Sequence, residues 1–221
     1  MKQLTLFDLD HTLLAGDSDV LWCEFLMARG VLDRAGFGPR NAQMEAGYRA
    51  GTVSAQHFAG FYVGTLEGRM PGELEPLRRD FLAREIIPRI PTAATQLVQR
   101  HLREDDLVVL TTATNRFITE LTSHHLAIPD LIATEVEVAN GRFTGRTQGM
   151  LNMREGKVLR LKQWAQQHGL VMDEWRTTAY SDSINDLPLL EFVDEPVAVD
   201  PDAQLAAIAL SRGWPVLHLH R

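Results

Sequence analysis

The 221-residue chain is 45% hydrophobic and carries 29 acidic against 22 basic residues, a formal net charge of −7. This composition suits one well-buried core with a modest second unit beside it, and it excludes both disorder and the basic footprint of a duplex nucleic-acid binder. Cys23 is the only cysteine, which excludes an intramolecular disulfide and a cysteine-based zinc site and fits a reducing, cytoplasmic setting.

In chain order, the first predicted element is a strand over 3–8, "QLTLFD", which runs into Asp8 and Asp10. Two aspartates so early leave no room for the apolar core of a signal peptide, and no later run reaches the ~20 apolar residues that span a bilayer, so no membrane partner is expected. From Asp17 to about Gly72 no strand-like run occurs. "DVLWCEFLMARGVL", "PRNAQMEAGYRAGT" and "SAQHFAGFYVGTLEG" are helical in spacing and predict an inserted helical subdomain. Alternation then sets in. A helix at "PTAATQLVQRHLRE" precedes a strand over 106–114, "DLVVLTTAT"; a helix at "NRFITELTSHHLA" precedes a hairpin in "EVEVANGRFTG", turning on Asn140-Gly141. A helix at "REGKVLRLKQWAQQHG", strands over 176–182 and 196–200, a helix at "PDAQLAAIALSRG" and a last strand over 215–220 complete the chain. Near-continuous apolar runs with polar ends read as parallel strands buried on both faces, and their alternation with helices predicts βαβ units in an open α/β sheet. The expected organisation is an α/β core of residues 1–15 and 74–221, interrupted by a helical unit over 16–73.

In such sheets ligands bind at the carboxyl ends of the strands, and the reactive residue types of this chain gather there: Asp8 and Asp10 on the first strand, Thr111, Thr112 and Thr114 on the second, Asp182 and Asp186 on the third. Carboxylates at the ends of neighbouring strands repel unless a cation lies between them, and hard oxygen donors without nearby His or Cys favour Mg²⁺. Each aspartate taken singly is equally an N-cap or turn residue. Asp8 and Asp10 can divide labour, one as nucleophile and one as acid and base, which suits phosphoryl transfer through an aspartyl-phosphate. Lys157, at the start of a helix after Gly156, is a candidate cation for phosphoryl oxygens, with the Thr111 hydroxyl as a second contact. Asn115 and Arg116 follow the same strand and are candidates for phosphate or substrate contact. Asp17 and Asp19 either cap the first inserted helix or meet a positive group on the substrate. Trp22, Phe25 and Leu26 read as core of the inserted unit. His124 and His125 read as an exposed helix end, and the histidines of the terminal "HLHR" as half-exposed strand residues.

The stretches "DLDHT" (Asp8, Asp10, Thr12), "VVLTTAT" (Thr111), "GK" (Lys157) and "SDSIND" (Asp182, Asn185, Asp186) resemble, in order and spacing, the four motifs of the haloacid dehalogenase superfamily of phosphatases. The resemblance covers nearly the whole chain and implies a Rossmann-like core. The helical insertion is similar to the cap of the phosphoserine-phosphatase-like subgroup, and "FDLDHTLLAGDSD", "TATNRF" and "MREGK" are similar to members assigned as histidinol-phosphate phosphatases. By resemblance, Asp8 is the nucleophile and Asp10 the acid and base. Thr111 and Lys157 hold phosphoryl oxygens, and Thr12 and Asn185 support the site. Asp8, the Asp10 backbone carbonyl and Asp182 bind Mg²⁺, with Asp186 orienting the metal's water shell. Two departures stand out: Ser181 replaces a common Gly, and no arginine lies between Arg49 and Arg69, where phosphoserine phosphatases hold the substrate carboxylate. The expected function is a Mg²⁺-dependent phosphomonoesterase acting on a small, amine-bearing phosphate ester such as histidinol phosphate. The alternatives are a phosphoserine phosphatase, a phosphotransferase, and a regulatory protein that only accepts phosphate.

Overall fold

The computed structural model describes residues 2–220, apart from the side chain of Arg49. Seven strands form one sheet in the order β4-β3-β2-β1-β5-β6-β7: β1 (Lys2–Phe7), β2 (Leu107–Asn115), β3 (Asp130–Ala139), β4 (Arg142–Gln148), β5 (Trp175–Ser181), β6 (Glu195–Val199) and β7 (Val216–Leu217). All neighbours are parallel except β3 and β4. β1 is central, paired with β2 on one side and β5 on the other, so its carboxyl end opens at the point where strand order reverses.

Period-two alternation divides the core between the two faces. Leu4 and Leu6 pack with Val109, Ala179 and Ala198 beneath α7 (Glu155–Gln167), α8 (Leu187–Phe192) and α9 (Ala203–Arg212). Phe7, Leu110, Tyr180 and Val197 pack on the other face against α5 (Thr92–Arg103) and α6 (Arg116–His125). Between β1 and α5 lie α1 (Ser18–Ala28), α2 (Arg34–Arg49), α3 (Ala55–Val63) and α4 (Pro71–Phe81), the last continued by a π-helical turn over Leu82–Ile86. α4 runs through residue 73.

Three details differ from the sequence expectation. β3 begins at Asp130 and pairs in parallel with β2 before it turns into the hairpin, so the Asn140-Gly141 turn ends a core strand instead of marking a separate excursion. The last strand is two residues long, because Asp200 takes the backbone N–H groups of Leu219 and His220 and pulls the chain out of the ladder. Trp22, Phe25 and Leu26 belong to the larger core with Phe7 and Phe117; Trp22 lies edge-on to Phe81 at 5.2 Å. An adjoining side of α1 supplies Cys23 to a smaller cluster with Met44, Phe58, Ala59 and Tyr62. A helix flanked on two sides buries both.

Candidate active site

After β1 the chain turns sharply: the Leu9 carbonyl accepts from the backbone N–H groups of Thr12, Leu13 and Leu14, and His11 stands at a φ of 57°. This turn holds Asp8 and Asp10 at the end of the central strand. Asp8 is buried, 6% exposed, with Oδ1 at 2.7 Å from Lys157 Nζ and Oδ2 at 3.3 Å from the Thr12 hydroxyl. Burial, partly offset by Lys157 and reinforced by the charges of Asp186 and Asp10, pushes the Asp8 carboxyl up to about 7. Asp10 accepts from the Ser18 backbone N–H at 2.7 Å, and its Oδ2 is 2.9 Å from the Thr114 hydroxyl and 3.4 Å from that of Thr112.

Lys157 reaches this point from the first turn of α7. The turn before it is closed by a 2.8 Å bond from the Gly156 N–H to the Met153 carbonyl. A Cβ on Gly156 would stand 2.2 Å from the Leu151 carbonyl oxygen, so only glycine fits there. Lys157 is 2% exposed and donates to Asp186 Oδ2 at 2.6 Å as well as to Asp8. Burial alone would lower its pKa, but Asp186 and Asp8 together hold it above the ordinary lysine value. Asp186 also accepts from the Ser181 hydroxyl at 2.7 Å, so the Ser in place of Gly adds a bond. Asp182 lies beside Thr12, whose hydroxyl is 3.2 Å from its Oδ1. Burial, then the charges of Asp8 and Asp186, raises Asp182 well above the usual carboxylate range. Crowded carboxylates, with Asp8 and Asp182 raised by burial and by the charge of their acidic neighbours, and oxygen donors throughout, are the donor set a divalent hard cation neutralises.

These groups form the floor of a cavity of about 820 Å³. Its upper wall comes from α2 and α3, where Tyr48 stacks on Phe58 with ring centroids 4.0 Å apart. Among the described lining residues, nine are carboxylates and two are Lys or Arg. Asp17 lines it while capping α1, its Oδ1 accepting from the Val20 N–H at 3.0 Å; capping and lining are therefore not alternatives. Burial, then the charges of Asp10 and Glu45, pushes Asp17 up to about 7.

The remaining sequence candidates fall elsewhere. Asp19 turns into the protein, where the Thr114 hydroxyl is 3.2 Å away and Asn115 Nδ2 3.4 Å. Asn115 caps α6 through the Ile118 N–H, and Arg116 forks onto Glu135 with bonds of 3.0–3.1 Å; neither lines the cavity. Thr111 points to the opposite side of β2, bonded to Asn152 Nδ2 at 3.0 Å, while Thr112 faces Asp10. Strand alternation puts consecutive threonines on opposite faces, and the apolar run alone did not tell which. His220 binds the Thr12 carbonyl at 3.0 Å and His218 binds Asp200 at 2.9 Å, so both brace loops. His124 and His125 are exposed at the end of α6. Sequence reasoning did not single out Asn152, Glu45, Tyr48 or Arg154. Asn152 ties β2 and β3 together through Thr112 O and Ile132 O, and the other three line the cavity. Only Arg154 stood next to a motif, three residues before Lys157.

A central-strand aspartate paired with a buried lysine, at the switch point of a Rossmann-like sheet, fits a hydrolase of the α/β class. More narrowly, the chain matches the haloacid dehalogenase-like hydrolase family over residues 5–191 and belongs to it; it is a phosphatase of that family. It is 39% identical over 220 residues to a histidinol-phosphatase of Neisseria meningitidis serogroup C, covering 99% of each chain. A solved Bordetella pertussis protein of unknown function superposes with a TM-score of 0.95 at 41% identity, covering 99% of each chain. A phosphoserine phosphatase solved as a phospho-aspartyl intermediate analogue shares the fold, with a TM-score of 0.69 at 16% identity, covering 100% of this chain and 94% of that one. No helix among the described residues is long and apolar enough to cross a membrane.

Proposed function

We propose that this phosphatase is a Mg²⁺-dependent phosphomonoesterase that works through an aspartyl-phosphate on Asp8 and favours a small ester with a positive charge remote from the phosphate, histidinol phosphate being the leading candidate. The observation that carries this reading is the buried Asp8–Lys157–Asp186 array at the floor of a cavity in which, among the described residues, carboxylates outnumber Lys and Arg nine to two. A wall so acidic attracts an ammonium or imidazolium, and this reading assigns the contact to Asp17, which lines the cavity. The histidinol-phosphatase relative supports the same substrate.

In the mechanism, an Asp8 oxygen attacks phosphorus while the bond to the leaving oxygen breaks, and Asp10 delivers a proton to that oxygen. Water then attacks the phosphorus of the aspartyl-phosphate as Asp10 takes its proton, releasing inorganic phosphate and restoring Asp8. The hydroxyls of Thr112 and Thr114 can rotate to accept from the protonated Asp10 or donate to its carboxylate. Lys157 offsets charge on the phosphoryl oxygens, and the Thr112 hydroxyl, 3.4 Å from Asp10, supports the acid-base carboxylate. Asp186 holds Lys157 in place. Mg²⁺, when bound by the Asp8 and Asp182 carboxylates and the Asp10 carbonyl, supplies further neutralisation of phosphoryl charge. Thr12 and Asn185 support these loops, and residues 16–73 act as a cap that excludes water. The lone, buried Cys23 suits a cytoplasmic enzyme.

Asp8→Asn is the test. The variant should retain the wild-type circular dichroism and cooperative melt while phosphate release from histidinol phosphate drops to background; sustained turnover would refute the mechanism. Wild-type kcat/KM for histidinol phosphate should exceed that for phosphoserine and for glycerol phosphate, and a preference for phosphoserine would overturn the substrate assignment.

A further inference from the structure

We propose that Arg154 is a substrate-binding residue that takes phosphoryl oxygens of the ester in the cavity, an inference that rests on the phosphatase reading above. Arg154 has φ 52° and ψ −127°, and the turn it enters is closed by the Gly156 N–H to Met153 carbonyl bond of 2.8 Å. Those angles belong to the first central residue of a type II′ turn, where glycine is the rule because a Cβ is strained. A glycine would relax this turn, so an arginine there holds a strained backbone for the sake of its side chain.

That side chain lines the cavity. Its Nε donates to Asn185 Oδ1 at 3.2 Å, which anchors the guanidinium beside the loop carrying Asp182 and Asp186. Lys157, the other Lys or Arg among the described lining residues, is already engaged by Asp8 and Asp186 at 2.7 and 2.6 Å. A phosphate dianion therefore meets a wall rich in carboxylates, and Arg154 is the cation whose Nη donors have no protein partner among the described residues. A guanidinium presents a planar fork that matches two phosphate oxygens. Its position assigns it to the phosphoryl side: it shares the start of α7 with Lys157 and bonds to Asn185, whereas Asp17, Tyr48 and Phe58 bound the side left for the alcohol.

The experiment compares wild type, Arg154→Gly and Arg154→Lys in the full chain with Mg²⁺ present. Readouts are kcat and KM on histidinol phosphate, phosphoserine and glycerol phosphate, calorimetric binding of inorganic phosphate, and melting temperature. Arg154→Gly should raise KM for all three esters, and the dissociation constant of inorganic phosphate, by about tenfold or more, the weight of a charge-assisted bond. The rise in KM should exceed the fall in kcat, the melting temperature should hold or rise because the turn relaxes, and Arg154→Lys should recover part of the loss. Unchanged KM and phosphate affinity would overturn the proposal. So would a KM rise confined to phosphoserine, which would assign the guanidinium to a carboxylate, or a lowered melting temperature with kcat loss, which would make Arg154 a brace for Asn185. A wild type that binds phosphate but hydrolyses none of the esters refutes the phosphatase reading, while the phosphate titration still decides on Arg154.

Discussion

Asp17 carries two tasks on one side chain. One oxygen caps α1, and its charge sits half-buried in the cavity near Asp10 and Glu45, with its pKa raised from 3.8 to about 7. Between those values the folded protein holds a proton that the unfolded chain has lost. Asp17 therefore adds stability that is fully present below pH 3.8 and is lost as the pH rises through 7. Every tenfold gain in proton affinity on folding is worth about 1.4 kcal/mol, and solvent screens part of it, so about 1–3 kcal/mol is at stake. Asn caps a helix as well as Asp does. Asp17→Asn in EDTA should thus melt higher than wild type at pH 8, with the difference closing toward pH 4; a difference constant with pH would contradict the buried-charge account. The same variant should lose about 10–100-fold in kcat/KM on histidinol phosphate, the value of a charged hydrogen bond, and little on glycerol phosphate. Equal losses on both would remove the recognition role.

At the scale of elements, the start of α7 sets the position of the site's cation. Gly156 touches the Leu151 carbonyl so closely that a methyl group cannot enter without moving backbone, and Lys157 is the next residue. Gly156→Ala should cost about 1–3 kcal/mol from overpacking, lower the melting temperature by roughly 2–4 °C for each kcal/mol, and reduce kcat by displacing the ammonium from Asp8. Full activity with an unchanged melt would show that the turn adapts. The other decisive element is the end of β2. Strand alternation puts Thr112 and Thr114 on the face toward Asp10 and Thr111 on the other with Asn152, and the pairing with β3 shifts just beyond, between Thr112 and Asn115.

At the scale of the whole molecule, the centre joins residues 8, 157, 182 and 186 from three separate parts of the chain, and the repulsion among its aspartates, offset in part by Lys157, is a load on the fold that a bound cation would relieve. Mg²⁺ that binds only the folded protein stabilises it by about 2.7 kcal/mol at a hundredfold excess over its dissociation constant. Adding Mg²⁺ to protein stripped with EDTA should raise the melting temperature by several degrees, Asp182→Asn should abolish most of that rise, and an unshifted wild type would argue against the metal centre. The elements themselves were legible. Apolar runs with polar ends marked β1, β2, β5 and β6, and Asn140-Gly141 marked the hairpin, because period and turn chemistry are local properties. The family was legible too, since its motifs are short and contiguous. What local pattern could not decide was the face on which a side chain ends: whether Thr111 or Thr112 meets Asp10, that Asn115 and Arg116 turn away to a helix cap and to Glu135, and that Trp22 joins the main core. Nor could it bring Glu45, Tyr48 and Arg154 to one cavity from two distant segments. Chain order determined the strands and the chemistry at their ends; side-chain direction and long-range packing, which depend on every neighbouring element at once, were decided by the tertiary structure alone.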